Sequence, residues 1–206
     1  MYKKAVLHFK SSDPILFELT KTITPFSGSG RHKIEDHFFA LCGEIIGQQL
    51  SGKAADKIFD RFINLFPNQK VKPELVVKIP DEKLRAIGTS WAKAKYIKDL
   101  AQKVLDREVH LEKISKLADN DVILELTKVK GIGSWTAEMY LMFTLGRPDI
   151  FSFGDLGLQN AIKKVYKLKN KPTVKQMEKL SKKWIPYRTY AARILWASLD
   201  NRPLTV

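Results

Sequence analysis

Leu126-Thr127-Lys128-Val129-Lys130-Gly131-Ile132-Gly133-Ser134-Trp135-Thr136-Ala137 is followed shortly by Pro148-Asp149-Ile150-Phe151-Ser152-Phe153-Gly154-Asp155-Leu156-Gly157-Leu158-Gln159. In the first block two glycines flank one apolar residue directly before a helical run. The backbone can turn sharply there and present successive N–H groups at a helix N-terminus, where an anion binds without any side chain. Short glycine turns also serve only to connect helices, so the second block matters. Asp155 precedes a run carrying Leu158, Ile162 and Val165 at helical spacing; it is placed to cap a helix or to present a carboxylate from its start. Asp149, between Pro148 and Ile150, reads as a structural turn residue.

Working outward, helical periodicity dominates, and no stretch combines strand alternation with Asn-Gly or Asp-Gly turns. Helices are expected near 35–48, 52–66, 81–87, 91–107, 120–128, 134–146, 155–167, 173–184 and 187–200. Asp13-Pro14 is a further helix start, with apolar Ile15, Leu16 and Leu19 beyond it. Met1 to Lys10 is expected to begin as a short extended piece, and Thr24 to Gly30 as a loop. The 134–146 segment is apolar on nearly every side and is expected to run through the interior. The chain is therefore all-α. Repeats and low-complexity tracts are absent from it.

At 206 residues the chain can bury a substantial core. No apolar run approaches the roughly 20 residues that span a bilayer, and no signal-peptide core follows Met1, so an intracellular location is expected. Cys42 is the only cysteine, which leaves no internal disulfide and no cysteine cluster for iron–sulfur or structural zinc. The formal charge of +14 favours a polyanionic partner. Between Lys163 and Arg188, nine lysines and one arginine stand against Glu178 alone, a net of +9. A solvated lysine face would also explain that segment.

Four stretches, taken in order, resemble the helix-hairpin-helix plus Gly/Pro/Asp superfamily of DNA glycosylases, closest to its 3-methyladenine DNA glycosylase II branch. Phe38 to Ala55 resembles the family's Gly-Gln-Gln segment and Ile87 to Ala101 its Lys-rich helix. Leu126 to Gln159 resembles the hairpin and Asp block, and Trp184 to Trp196 the closing helix. The match runs from about residue 35 to residue 200. The lack of a cysteine cluster separates the chain from the endonuclease III branch.

The resemblance implies a two-lobed helical fold with a cleft between the lobes. One lobe comprises residues 31–145, ending in a hairpin at about 126–137. The other is formed by both chain ends, 1–30 plus 146–206. It further implies that Asp155, 22 residues after Gly133, is the catalytic carboxylate that stabilises positive charge on the deoxyribose. A fixed negative charge beside an oxocarbenium-like transition state is electrostatic preorganisation. Trp135 stands where relatives that also cleave the backbone carry a nucleophilic lysine. The implied reaction is thus hydrolysis by water that leaves an abasic site, with no lyase step. Trp135 and Trp196 match places where the extruded base stacks, and a cationic alkylated purine favours an indole face. Met139 stands where some relatives have tyrosine, a departure that bears on the pocket's shape. A core role for either tryptophan is the competing explanation.

The resemblance assigns DNA contacts to Lys130, Gly131, Gly133 and Ser134 at the hairpin. Gln48, Gln49 and Leu50 match the wedge that fills the gap left by the flipped nucleotide; alternatively Ser51 caps the next helix and Gln48 bonds to backbone. The Thr127, Val129 and Ile132 carbonyls match a site for Na⁺ or K⁺. No cofactor is otherwise expected. The implied partner is double-stranded DNA containing damaged bases, bound by a monomer with no membrane association. The location is cytoplasmic and nucleoid-associated in a prokaryote, nuclear in a eukaryote. Two rivals stay open: the same fold acting on a deaminated or oxidised base, and a hairpin protein that binds DNA without catalysis. The second has no need of Asp155.

Overall fold

Asp13 shows how local sequence sets this fold: its carboxylate accepts the Leu16 N–H at 3.2 Å, and Pro14 follows at the first helical position. That cap starts the second of twelve α-helices in a computed structural model that describes residues 1–23 and 36–199. In chain order these are α1 (Tyr2–Ser12), α2 (Pro14–Leu19), α3 (His37–Gly47), α4 (Gly52–Ile63), α5 (Pro73–Val76), α6 (Asp81–Ala86), α7 (Trp91–Leu105), α8 (Asp119–Leu126), α9 (Ser134–Met139), α10 (Leu156–Val165), α11 (Val174–Ser181) and α12 (Arg188–Leu199). Every regular element among the described residues is helical. The expected loop from Thr24 to Gly30 lies outside them.

Residues group into two compact units, Met1–Gly30 with Gly146–Val206, and Arg31–Leu145. In the first, α10 packs on α12 and α1 on α2, around Phe9, Leu16, Leu158, Ile162, Trp184 and Leu195. Asp13 is buried there, its second oxygen accepting from Tyr166 Oη at 2.6 Å and Trp184 Nε1 at 2.9 Å. A buried carboxylate is tolerated when donors satisfy it, and here they tie three segments together. In the second unit α7 lies against α3, α5 and α6, and its buried side chains are Ala94, Ile97, Leu100 and Ala101.

Three sequence expectations need correction. Met1 to Lys10 is not extended: Ala5 and Phe9, four apart and both buried, make residues 2–12 an amphipathic helix. The segment 134–146 is not one α-helix, because a π-helical turn over Tyr140–Thr144 follows α9 and the Leu145 N–H reaches back five residues to Tyr140 O at 3.0 Å. Nor is it wholly interior, since Trp135 is 45% exposed. Short elements at Pro67–Gln69, Pro73–Val76 and Leu111–Lys116 were not expected; pieces of three to six residues are too short to display a helical period.

Candidate active site and DNA-binding hairpin

In the 31–145 unit, α8 ends at Leu126 and α9 begins at Ser134, and the turn between them is closed by its own backbone. The Val129 N–H donates to Leu126 O and the Ile132 N–H to Val129 O, each at 3.1 Å. The side chains of Val129 and Ile132 are buried beneath it. From outside the turn, the Asp99 carboxylate accepts the Lys130 N–H at 2.8 Å. The two glycines stand in different surroundings. Gly131 has φ +83°, and a Cβ there would fall 2.0 Å from the Tyr96 ring. Gly133 has an ordinary φ of −91° and nothing within 4 Å of where a Cβ would stand. The fold needs the first glycine and leaves the second unexplained by any internal contact. Gly133 is the N-cap residue of α9 and supplies no side chain to it, and Ser134 beside it is exposed, so the first turn of that helix opens toward solvent.

The loop between α3 and α4 carries the residues expected as wedge. Gln49 is exposed and holds φ +56°, and Leu50 beside it is 39% exposed. Gln48 differs: its amide nitrogen donates to Gly131 O at 2.8 Å and to Thr136 Oγ1 at 3.2 Å. Its carboxamide is engaged inside the unit. Ser51 is the N-cap of α4 without a side-chain bond to it. The Lys93 ammonium donates to Ile46 O at 2.9 Å and Gln48 O at 2.6 Å, and burial lowers its pKa from the usual lysine value. Met139 is buried, and Trp135, four residues earlier, is exposed.

In the unit formed by both chain ends, Asp155 is the N-cap of α10, and its Oδ1 accepts the Leu158 N–H at 2.6 Å. The same oxygen accepts the Trp196 Nε1–H at 3.0 Å. Cap and candidate catalyst are thus one residue, half-buried and fixed by a helix start and an indole from α12. Gly157 makes room for this: a Cβ there would lie 3.0 Å from Asp155 Oδ1 and 3.2 Å from Trp196 Nε1. Asp149 is committed elsewhere, to a two-pronged ion pair with Arg188 at 2.8 and 3.0 Å. The nine lysines from Lys163 to Lys183 are exposed, with Lys164 bonded to Ser198 O at 2.8 Å.

Sequence reasoning passed over four residues that build these features: Lys93, Tyr96, Asp99 and Gly157. The first three recur every third residue on α7, a spacing that marks one helix edge. Gly157 carries no such signal. Among the described residues no group of three or more His, Cys, Asp or Glu could hold a metal ion, and no helix is long and apolar enough to cross a membrane.

Comparison with known proteins finds a match over residues 42–187 to the HhH-GPD superfamily, base excision DNA repair proteins. YfjP of Bacillus subtilis is 38% identical over 76% of this chain, which spans 56% of that protein's length. The alkylbase DNA glycosidase-like protein mag2 of Schizosaccharomyces pombe is 32% identical over 95% of this chain and 92% of its own. Among solved structures, the 3-methyladenine DNA glycosylase Mag1 of Schizosaccharomyces pombe, in complex with abasic DNA, superposes with a TM-score of 0.81. It is 30% identical and covers 96% of this chain and 97% of its own.

Proposed function

Because the chain belongs to the HhH-GPD superfamily of base excision DNA repair proteins, we propose that it is a monofunctional DNA glycosylase. It hydrolyses the N-glycosidic bond of alkylated purines, 3-methyladenine and related cationic lesions, and leaves an abasic site. The observation that carries this is the Asp155 carboxylate, held at the start of α10 by the Leu158 N–H and the Trp196 indole N–H at 2.6 and 3.0 Å. A DNA-binding turn alone has no use for such a group.

Asp155 supplies a fixed negative charge as the bond from C1′ to the base nitrogen breaks and the sugar becomes oxocarbenium-like. Water adds to C1′, its proton is lost to solvent, and the bonding electrons leave with the base. A base already cationic departs neutral, so little general-acid assistance is needed. Trp135, a residue 45% exposed, stacks on the cationic purine, whose charge the electron-rich face attracts. Because position 135 offers no amine, the sugar is attacked by water and the strand stays uncut.

At the hairpin, Gly133 and Ser134 let a backbone phosphate approach the first turn of α9, with Lys130 alongside. The Thr127, Val129 and Ile132 carbonyls offer a hard, all-oxygen donor set that suits Na⁺ or K⁺, although Val129 O also accepts the Ile132 N–H. A cation there would add positive charge opposite a phosphate. Gln49 and Leu50 fill the space vacated in the duplex, offsetting part of an unstacking cost of about a few kcal/mol. The protein acts as a monomer on damaged duplex DNA, in the nucleoid of a prokaryote or the nucleus of a eukaryote.

The test is chromatography of bases released from methylated genomic DNA. Free 3-methyladenine is the expected product. Release of only deaminated or oxidised bases, or of none, would overturn the assignment.

A further inference from the structure

Helix α7 carries Lys93, Tyr96 and Asp99 three residues apart along one edge, and each of them ends on a loop assigned above to DNA. Lys93 donates to Ile46 O at 2.9 Å and Gln48 O at 2.6 Å, at the base of the loop that bears Gln49 and Leu50. Tyr96 occupies the space that the missing Gly131 Cβ leaves, 2.0 Å from where that atom would stand. Asp99 accepts the Lys130 N–H at 2.8 Å. Gln48 closes the third side by donating to Gly131 O at 2.8 Å and Thr136 Oγ1 at 3.2 Å. Hairpin, wedge loop and α7 therefore hold one another in a closed triangle of named contacts.

The buried side chains of α7 are Ala94, Ile97, Leu100 and Ala101; at about 100° per residue Lys93 stands at the edge of that face, and Tyr96 and Asp99 lead away from it toward the hairpin, all three half-buried. Lys93 is held in a partly dry place that disfavours its charge; the two carbonyls offset that cost. The rise from Lys93 to Asp99 along a helix is about 9 Å, so one rigid element sets the interval between the two loops. A side chain that must fill a one-nucleotide gap has to be placed within about half an ångström. A loop free to move relative to the phosphate anchor would lose that placement.

We propose that Lys93, with Gln48, Tyr96 and Asp99, positions the Gln49–Leu50 loop against the hairpin. The two then enter DNA as one body, with the gripped phosphate setting the depth of the wedge. This rests on Gln49 and Leu50 being the wedge. None of the four positioning residues acts on the reacting atoms; each works through the loops it holds.

The full chain is titrated with a duplex carrying one tetrahydrofuran abasic analogue and with the same duplex undamaged. The wild type is compared with Lys93→Met and with the double variant Gln49→Ala/Leu50→Ala. Lys93→Met should hold its affinity for undamaged DNA within about twofold, because the hairpin is untouched, and lose about fivefold to tenfold of its preference for the abasic duplex. The fluorescence of a 2-aminopurine opposite the abasic position, which rises as the wedge displaces it, should fall in step. Lys93→Gln, which retains a neutral donor, replaces the methionine variant if that protein does not fold. An unchanged preference in Lys93→Met, or a parallel fall on both duplexes, would overturn the proposal. If the double variant kept full preference, the wedge assignment itself would be lost; if only the double variant lost preference, the wedge would stand and the strut would not.

Discussion

Trp196 and Asp155 are joined by a hydrogen bond of 3.0 Å from the indole Nε1–H to Oδ1, the same oxygen that accepts the Leu158 N–H at 2.6 Å. Two donors from different helices converge on one oxygen, which fixes the carboxylate's rotation. Trp196→Phe keeps an aromatic ring, though a smaller one, and removes one donor. Base release measured in single turnover should fall about tenfold, the equivalent of about 1.4 kcal/mol, with damaged-DNA affinity little changed. Gly157→Ala should act in the same direction, because its Cβ would press between the two residues at 3.0 and 3.2 Å. Unaltered single-turnover rates in both variants would show that the indole does not position the carboxylate.

The hairpin glycines should separate stability from binding. Gly131→Ala meets both a left-handed φ and the Tyr96 ring, and should lower stability by about 1–3 kcal/mol. Gly133→Ala meets neither, and should cost about 1 kcal/mol or less. On DNA the second should be the more telling. Gly133→Ala should weaken binding to damaged and undamaged duplexes alike, with a salt slope shallower by about one. Thermal melting and salt titrations on both duplexes check this; a Gly133→Ala protein that loses only lesion discrimination would count against a phosphate anchor.

Much of this was legible in the chain. Asp155 could be placed at the start of a helix because Leu158, Ile162 and Val165 set the period behind it, and the Gly131-Ile132-Gly133 turn announced itself before an apolar run. Asp149 could be set aside from Pro148 and Ile150 alone, and its ion pair with Arg188 supplies the structural reason. Distances across the fold could not be read. Gln48 sits beside Gln49 in sequence, yet one amide is bonded to Gly131, 83 residues away, and its neighbour points to solvent. No local pattern distinguishes them. The functional weight of Gly157 depends on where α12 brings Trp196, and that of Lys93 on the end of α3. The π-turn at Tyr140–Thr144 escaped because an evenly apolar run leaves the helical period undetermined.

Trp135 in the place of an amine should leave product strands uncut. Treatment of a methylated duplex with the protein should give intact strands until alkali or an abasic-site endonuclease is added, and borohydride should trap no covalent adduct. A stable protein–DNA adduct would require a nucleophilic amine, and the water mechanism would fall.

Glu125, one residue before the end of α8, supports the hairpin's entry. Its own burial opposes ionisation, but Lys128 Nζ at 2.6 Å and the His110 N–H at 2.7 Å favour the charged form, and on balance its pKa lies below the ordinary 4.5. The unfolded chain therefore binds this proton more tightly than the folded one, and the stabilisation is complete above the ordinary value and fades as pH falls through the lower folded value. Glu125→Gln should reduce stability by about 1–2 kcal/mol at neutral pH and flatten the acid limb of the melting profile. Melting temperatures of both proteins between about pH 3 and pH 6 check the sign; parallel acid limbs would mean that the Glu125 contacts do not carry this dependence.

Asp155→Asn is nearly isosteric, keeps an oxygen able to accept from Leu158 and Trp196, and removes the charge. Base release from methylated DNA is to be followed by chromatography in single turnover, alongside binding to the same DNA, for the wild type and this variant. The expected result is a loss of at least about 100-fold in release with binding close to that of the wild type. Release by Asp155→Asn at the wild-type rate would show that the carboxylate is only a helix cap, and that the chemistry resides elsewhere or is absent.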